Sequence, residues 1–329
     1  MQLKLLEVLA CPKCLGELSC IPSEVSADGE IVEGKLECRD CQKTYPIEDS
    51  IPRFVQRENY ASSFGYQWNQ FKSEQIDSIN GTGLSEQRVY SETTWTKEWI
   101  EGKWILDAGC GAGRFLEVVS REHCEAVGVD LSNATDAARA TLKDRKNVHL
   151  VQASIYELPF RSGVFDGCYC IGVIQHTPDP QKTLHSLPRV LKVGGRIAVT
   201  IYERKPWTKL NAKYLIRPLT KRMSKKSLLY LIKGLMPILF PITEVTFRIP
   251  YLNRLFMFAI PVANYVGESK LTLRQRYHWA ILDTFDMLSP QYDQPQTFQD
   301  AERPLRSEGV EEITRLQNGG LNLVGRKAT

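Results

Sequence analysis

Two C-x2-C pairs, Cys11-Pro12-Lys13-Cys14 and Cys38-Arg39-Asp40-Cys41, stand 23 residues apart near the start of the chain. Four thiolates at that spacing close a tetrahedron around Zn²⁺, an ion that prefers sulfur and accepts four ligands. With all four positions taken by protein, no place remains for a substrate water, so the zinc is expected to be structural. A unit of some 55 residues buries too little surface to be comfortably stable, and metal binding would supply much of its folding free energy. Cys20 lies between the pairs and reads as a spare buried thiol.

The remainder is too long for one ordinary domain. At 329 residues, 43% hydrophobic and 24% charged, the chain has the composition of a globular protein of two or three units. The segments read as 1–55, the cysteine unit; 56–102, an aromatic linker; 103–202, an alternating α/β core; 203–290, an insertion; and 291–329, a final helix and hairpin. The formal charge of +4 and a pI near 8.5 argue against a dedicated nucleic-acid binder. The start, MQLKLLEVLACPKC, has too short an apolar run for a signal peptide and no small-residue cleavage region, so a cytoplasmic protein is expected. No run reaches the 18 or so uncharged apolar residues of a spanning helix.

Strand-length apolar runs at 104–106, 126–129, 148–152, 167–171 and 196–201 alternate with helical segments, the pattern of a parallel sheet. After the first run comes Leu106-Asp107-Ala108-Gly109-Cys110-Gly111-Ala112-Gly113-Arg114, whose glycines let the backbone turn sharply and approach a ligand. A dinucleotide fingerprint fails, because the position three beyond Gly111 is Arg114. Asp130 ends the next run, in Val127-Gly128-Val129-Asp130-Leu131-Ser132, where a carboxylate can accept from both hydroxyls of a ribose.

These motifs, with Phe165-Asp166, Ile171-Gly172-Val173-Ile174-Gln175-His176 and Arg189-Val190-Leu191-Lys192-Val193-Gly194-Gly195, resemble class I S-adenosylmethionine-dependent methyltransferases, over about residues 103–201. The resemblance implies a Rossmann-like sheet and S-adenosylmethionine as cofactor. It implies contacts from Asp107, Gly109, Gly111, Gly113, Asp130, Leu131, Ser154, Ile155 and Ile171. Gln152-Ala153-Ser154 stands where that family usually has an Asp for the adenine amino group, so Ser154 is expected to make a weaker, uncharged contact. With Tyr45-Pro46-Ile47-Glu48-Asp49-Ser50-Ile51-Pro52 following its second knuckle, the cysteine unit resembles the small zinc-ribbon activator of tRNA and protein methyltransferases, which many bacterial chains carry fused in front of a methyltransferase. Ser50 stands where that family usually has glycine. The fold class expected is therefore α/β: a Rossmann-like class I methyltransferase sheet with an N-terminal zinc ribbon and a helical insertion before the C-terminal hairpin.

Ligands sit at the carboxyl ends of parallel strands, which puts His176 on the loop facing a transferable methyl. Its ordinary pKa suits a general base; the bland alternative is that it packs locally or orders the turn at Pro178. Phe64, Trp68 and Phe71 share one helical face, either a lid over the site or a helix docked on the sheet, and docking is the preferred reading. Asp283, Asp286, Tyr292 and Asp293 are within reach of an acceptor pocket, or are solvated loop charge. Thr297 with Asp300 starts the last helix as a capping box, in which Pro304 sits awkwardly.

From 203 to 226 nine basic residues stand against the single acid Glu203, followed by the apolar runs 228–232 and 255–262. Prolines 237, 241, 250 and 261 are expected to prevent a long straight helix. The preferred reading is a lid that shapes the acceptor pocket; the other is peripheral membrane contact through 203–263. The functional expectation is methyl transfer to a small-molecule, glycan or lipid-precursor acceptor. The alternatives are an RNA methyltransferase that uses the ribbon to hold nucleic acid, against which the modest charge argues, and a non-catalytic regulator that senses the cofactor.

Overall fold

A computed structural model describes residues 1–56 and 59–328. The cysteine unit is an antiparallel sheet of β1 Leu18–Val25, β2 Ile31–Cys38, β3 Thr44–Glu48 and β4 Ile51–Pro52, in that order. Asp49 and Ser50 turn the last hairpin with positive φ, 50° and 63°. The left-handed backbone of Ser50 costs an ordinary side chain energy and suits the glycine that the resemblance implies at this position.

The second sheet has seven strands: β5 Trp104–Ala108, β6 Glu125–Asp130, β7 Val148–Gln152, β8 Phe165–Ile171, β9 Leu191–Ile201, β10 Val310–Leu316 and β11 Leu321–Lys327. Their order is β10-β11-β9-β8-β5-β6-β7. Strands β5 to β9 pair in parallel, whereas β11 runs antiparallel between β9 and β10. Helices cover both faces, so the central strands are mostly apolar: Ile105, Leu106, Val127, Cys168 and Val199 are all fully buried. The five expected strands all form, the fifth starting earlier at Leu191.

The sequence boundary near residue 55 is not a boundary between cores. Leu5, Leu9, Leu36 and Ile47 of the ribbon belong to the same buried cluster as Leu106, Val151 and Phe160 of the large sheet. Arg53 forms a parallel bridge to Gln152 and donates to its Oε1 at 2.7 Å and to Asp136 at 2.8 Å; the Phe54 N–H reaches the Gln152 carbonyl at 2.8 Å. The ribbon thus covers edge strand β7, which would otherwise offer unpaired backbone groups.

The capping box at Thr297 forms, and the helix Phe298–Ser307 runs straight through Pro304. The carbonyl that this proline leaves without an in-helix partner, that of Asp300, accepts from Gln181 Nε2 at 2.9 Å.

The insertion contains helices Ala212–Thr220, Lys225–Thr246, Asn253–Ala259 and Leu273–Leu288. The expectation that the prolines prevent a long straight helix is corrected in length: the second helix spans 22 residues with Pro237 and Pro241 inside. Packing against Leu273–Leu288 through Leu229, Ile232, Met236, Phe240, Ile281 and Phe285 offsets the lost backbone bonds. Among the described residues this is one helix long and apolar enough to cross a bilayer, and one third of its apolar window is buried in the protein.

Candidate active site

The glycine loop is hung from β6. The N–H groups of Gly109 and Cys110 both donate to the Val129 carbonyl, at 2.7 and 3.1 Å. Gly109 has φ +92°, and a Cβ there would lie 2.4 Å from Val173 Cγ2, so only glycine fits both the turn and the neighbouring strand end. A Cβ on Gly111 would sit 2.9 Å from Trp68 Nε1. Gly113 precedes the helix Arg114–Val119 in left-handed conformation.

Asp130 closes the loop from the far side. Its Oδ2 accepts from the Gly111 N–H at 3.0 Å, and its Oδ1 from the Ser132 N–H at 2.8 Å and hydroxyl at 2.7 Å. Oδ1 thus has both lone pairs taken, and Oδ2 keeps capacity for a further donor. Burial pushes the Asp130 carboxyl up, against those hydrogen bonds. Asp107 is buried beneath the loop, accepting from the Tyr169 hydroxyl at 3.1 Å; burial raises it to about 8.

Loop, strand ends and insertion enclose one cavity of about 390 Å³. Of the expected cofactor contacts, Gly109, Gly111, Asp130, Leu131, Ile155 and Ile171 line it, while Asp107 and Gly113 support it from behind. Ser154 does not line it: its hydroxyl accepts from the Tyr156 N–H at 3.2 Å, and Ala153 faces the space instead. Gln152 is spent on the ribbon through Arg53.

His176 opens into the same cavity. Its Nδ1 lies 3.0 Å from the Tyr292 carbonyl, which can only accept, so Nδ1 carries the proton. Its Nε2 lone pair is then left buried and unpartnered. Phe64 and Tyr202 flank the ring at 5.2 and 5.5 Å. Burial lowers the imidazole to about 4, keeping it neutral.

The far wall comes from the insertion. Asp283 and Asp286 sit on the helix Leu273–Leu288 and line the cavity, which agrees with the pocket reading of these two residues and not with solvated loop charge. Burial raises both to about 6. Asp286 accepts from Gln67 Nε2 at 3.2 Å, and Asp283 from the Tyr265 hydroxyl. Asp293 is withdrawn into a buried ion pair with Lys213 at 2.9 Å.

The helix Ser62–Gln70 contributes Phe64, Gln67 and Trp68 to the lining, so it covers the cavity rather than merely docking on the sheet. Sequence reasoning passed over Arg88 and Gln67, both of which line the cavity, and treated Arg114 only as a break in a fingerprint. Arg88 is braced by Glu92 at 2.6 Å. Arg114 is lowered to about 10 by burial and by its neighbour Arg88. No periodicity singles these residues out, because they come from separate elements.

The four cysteine sulfurs meet as expected, all within 4.8 Å of one another, with Cys11 3.6 Å from Cys41 and Cys14 3.5 Å from Cys38. A zinc tetrahedron with bonds of about 2.3 Å has edges of about 3.8 Å, so the cluster fits the ion. The Tyr45 hydroxyl, 3.2 Å from the Cys11 sulfur, is placed to donate to a thiolate.

Residues 106–199 match the methyltransferase domain family, and residues 2–50 match the Trm112p-like protein family. The chain joins a class I methyltransferase domain to a Trm112p-like zinc ribbon. The methyltransferase domain resembles ubiquinone biosynthesis O-methyltransferases. With that of Alkalilimnicola ehrlichii it shares 33% identity over 129 residues, 37% of this chain and 52% of the relative. With that of Erwinia tasmaniensis it shares 31% over 123 residues, 35% and 51% of the two chains. The chain spans about half the length of the curated relatives it matches. Among solved structures it is similar to the Haloferax volcanii complex of the Trm112 methyltransferase activator with a putative methyltransferase, at 13% identity and a TM-score of 0.47, covering 81% of this chain and 98% of that one. The cofactor of the methyltransferase domain is S-adenosylmethionine and the ion of the ribbon is zinc. The glycine cradle, the spare acceptor capacity of Asp130 and the unpartnered polar atoms at the cavity fit the former.

Proposed function

We propose that the protein transfers a methyl group to a hydroxyl of a small polyhydroxylated acceptor, such as a glycan or a lipid precursor. The observation that carries this reading is His176, whose ring lines the cavity that also holds the glycine loop and the Asp283–Asp286 wall and whose buried Nε2 has no hydrogen-bond partner. The wall offers acceptors, in the two carboxylates and Gln67 Oε1, beside donors in Arg88 and Tyr202. A hydroxyl both donates and accepts, so it satisfies such a mixed wall where a purely apolar or purely charged group does not.

S-adenosylmethionine, when bound, supplies an electrophilic methyl on a sulfonium. In this reading Asp130 accepts from a ribose hydroxyl, the glycine backbone admits the cofactor, and Ile155 and Ile171 bound it with apolar surface. His176 Nε2 accepts the hydroxyl proton of the acceptor, which aligns an oxygen lone pair for in-line attack. An oxygen that has gained a methyl while still carrying its proton is far more acidic than an alcohol, so a base lowered to about 4 still takes that proton. Closure by Trp68 and Phe64 keeps water out.

The test is incubation of the full chain with methyl-labelled S-adenosylmethionine and fractionated cell extract. Label in hydroxylated small molecules, glycans or lipid precursors, stable as an ether, is the expected result. Label released by ribonuclease, or tight cofactor binding with no label in any fraction, overturns the proposal.

A further inference from the structure

The helix Lys225–Thr246 is apolar on two faces. Leu229, Ile232, Met236 and Phe240 face the protein and are buried. On the other side Leu231, Leu235, Ile238, Ile242 and Val245 recur at steps of four and three and are all exposed, Ile238 by 62% and Val245 by 66%. That spacing makes one stripe along roughly 20 Å of helix. Scattered surface leucines need no explanation, but an aligned stripe of five does. The following turn and the helix Asn253–Ala259 expose Leu252, Leu255 and Met257, and leave Tyr251 99% exposed.

Charge identifies the occupant. Residues 203–263 hold twelve of the 42 basic residues and two of the 38 acidic ones, so the remainder of the chain is net negative although the whole is +4. Of those two acids, Glu203 pairs with Arg315 at 2.8 Å and Glu244 with Arg276 and Arg248. Lys221, Arg222, Lys226 and Arg254 are exposed and form no ion pair among the described residues. Lys221, Arg222 and Lys226 stand at the start of the striped helix, and Arg254 follows its end.

A second copy of this surface would bring like charges together with no free acid to meet them. A spanning arrangement would strip the inner face from the core it packs on. We infer that the outer face of the insertion docks on an anionic lipid bilayer, with the striped helix lying in the plane of the interface, its apolar side chains entering the acyl boundary and the basic residues on the headgroup phosphates. Tyr230, 64% exposed on the same helix, and Tyr251 have the amphipathic rings that favour such an interface. The inference concerns the outer face and holds whatever chemistry the cavity performs.

The experiment is sedimentation of the full chain with vesicles of neutral phosphatidylcholine alone, or with about one third phosphatidylglycerol, at low and physiological salt. Pelleting with anionic vesicles only, weakened by salt, is expected. Leu235→Asp/Ile238→Asp should abolish it. Lys221→Ala/Arg222→Ala should weaken it about fivefold per residue, since each basic group near the surface contributes about 1 kcal/mol. Both positions of the first variant are exposed, so its melting temperature and cofactor affinity should match wild type, which separates lost docking from lost folding. Equal pelleting with neutral vesicles, no pelleting at either salt, wild-type pelleting by the Asp variant, or a soluble dimer that the Asp variant dissolves each overturns the inference.

Discussion

Asp130→Ala tests the cofactor site where its geometry is most explicit. The substitution removes a carboxylate that accepts from Gly111 and Ser132 at 2.7–3.0 Å and keeps a lone pair on Oδ2 for a ribose hydroxyl. Hydrogen bonds to a charged group contribute about 1.5–3 kcal/mol, which is roughly 10- to 150-fold in dissociation constant. Part of that loss would come from a loosened glycine loop rather than from the ribose. Ser132→Ala separates the two, because it removes one bond that orients the carboxylate and leaves the charge; it should cost less than about tenfold. Titration calorimetry with S-adenosylhomocysteine, on variants whose melting curves show them folded, gives both numbers. Wild-type affinity in folded Asp130→Ala would show that the ribose lies elsewhere and that Asp130 only pins the loop.

Gly109→Ala forces a Cβ to within 2.4 Å of Val173 at a φ of +92°; it should destabilise the protein by roughly 1–3 kcal/mol and abolish detectable cofactor binding, read by melting and calorimetry. Purified protein should contain one zinc by metal analysis, and Cys38→Ser should lower the melting temperature of the whole chain, because the ribbon shares a core with the large sheet; loss of the ribbon alone, with an unshifted main transition, would refute the shared core. His176→Ala should lower turnover by about 10²–10⁴ while cofactor affinity stays within a few-fold, measured once an acceptor is in hand. Burial lowers folded His176 to about 4 against about 6.5 unfolded, so the unfolded state binds more protons between those values. Its contribution to stability is therefore complete above pH 6.5 and is lost as the pH falls toward 4. Asp283 and Asp286, raised to about 6 by burial, act in the opposite sense, and the wild-type minus His176→Gln difference in denaturant stability isolates the histidine.

Local patterns in the chain determined a good deal. The cysteine spacing specified a four-sulfur cluster, because a tetrahedral ion accepts few arrangements. Apolar runs bounded by glycine and Asp placed β5 to β9, because strands buried on both faces are rich in apolar residues on both. The capping box fixed the start of the last helix. Three things had to wait for the tertiary structure. The ribbon's union with the sheet rests on Arg53 meeting Gln152 and Asp136, contacts between residues some 80 to 100 positions apart that leave no period in the sequence. Pro237 and Pro241 within one helix, and Pro304 within another, are tolerated because packing and the Gln181 side chain offset what the backbone loses. The cavity wall of Gln67, Arg88, Asp283 and Asp286 is assembled from three stretches of chain. A charged residue whose role depends on which distant surface it faces looks, in sequence, like any solvated charge, and only its burial distinguishes it.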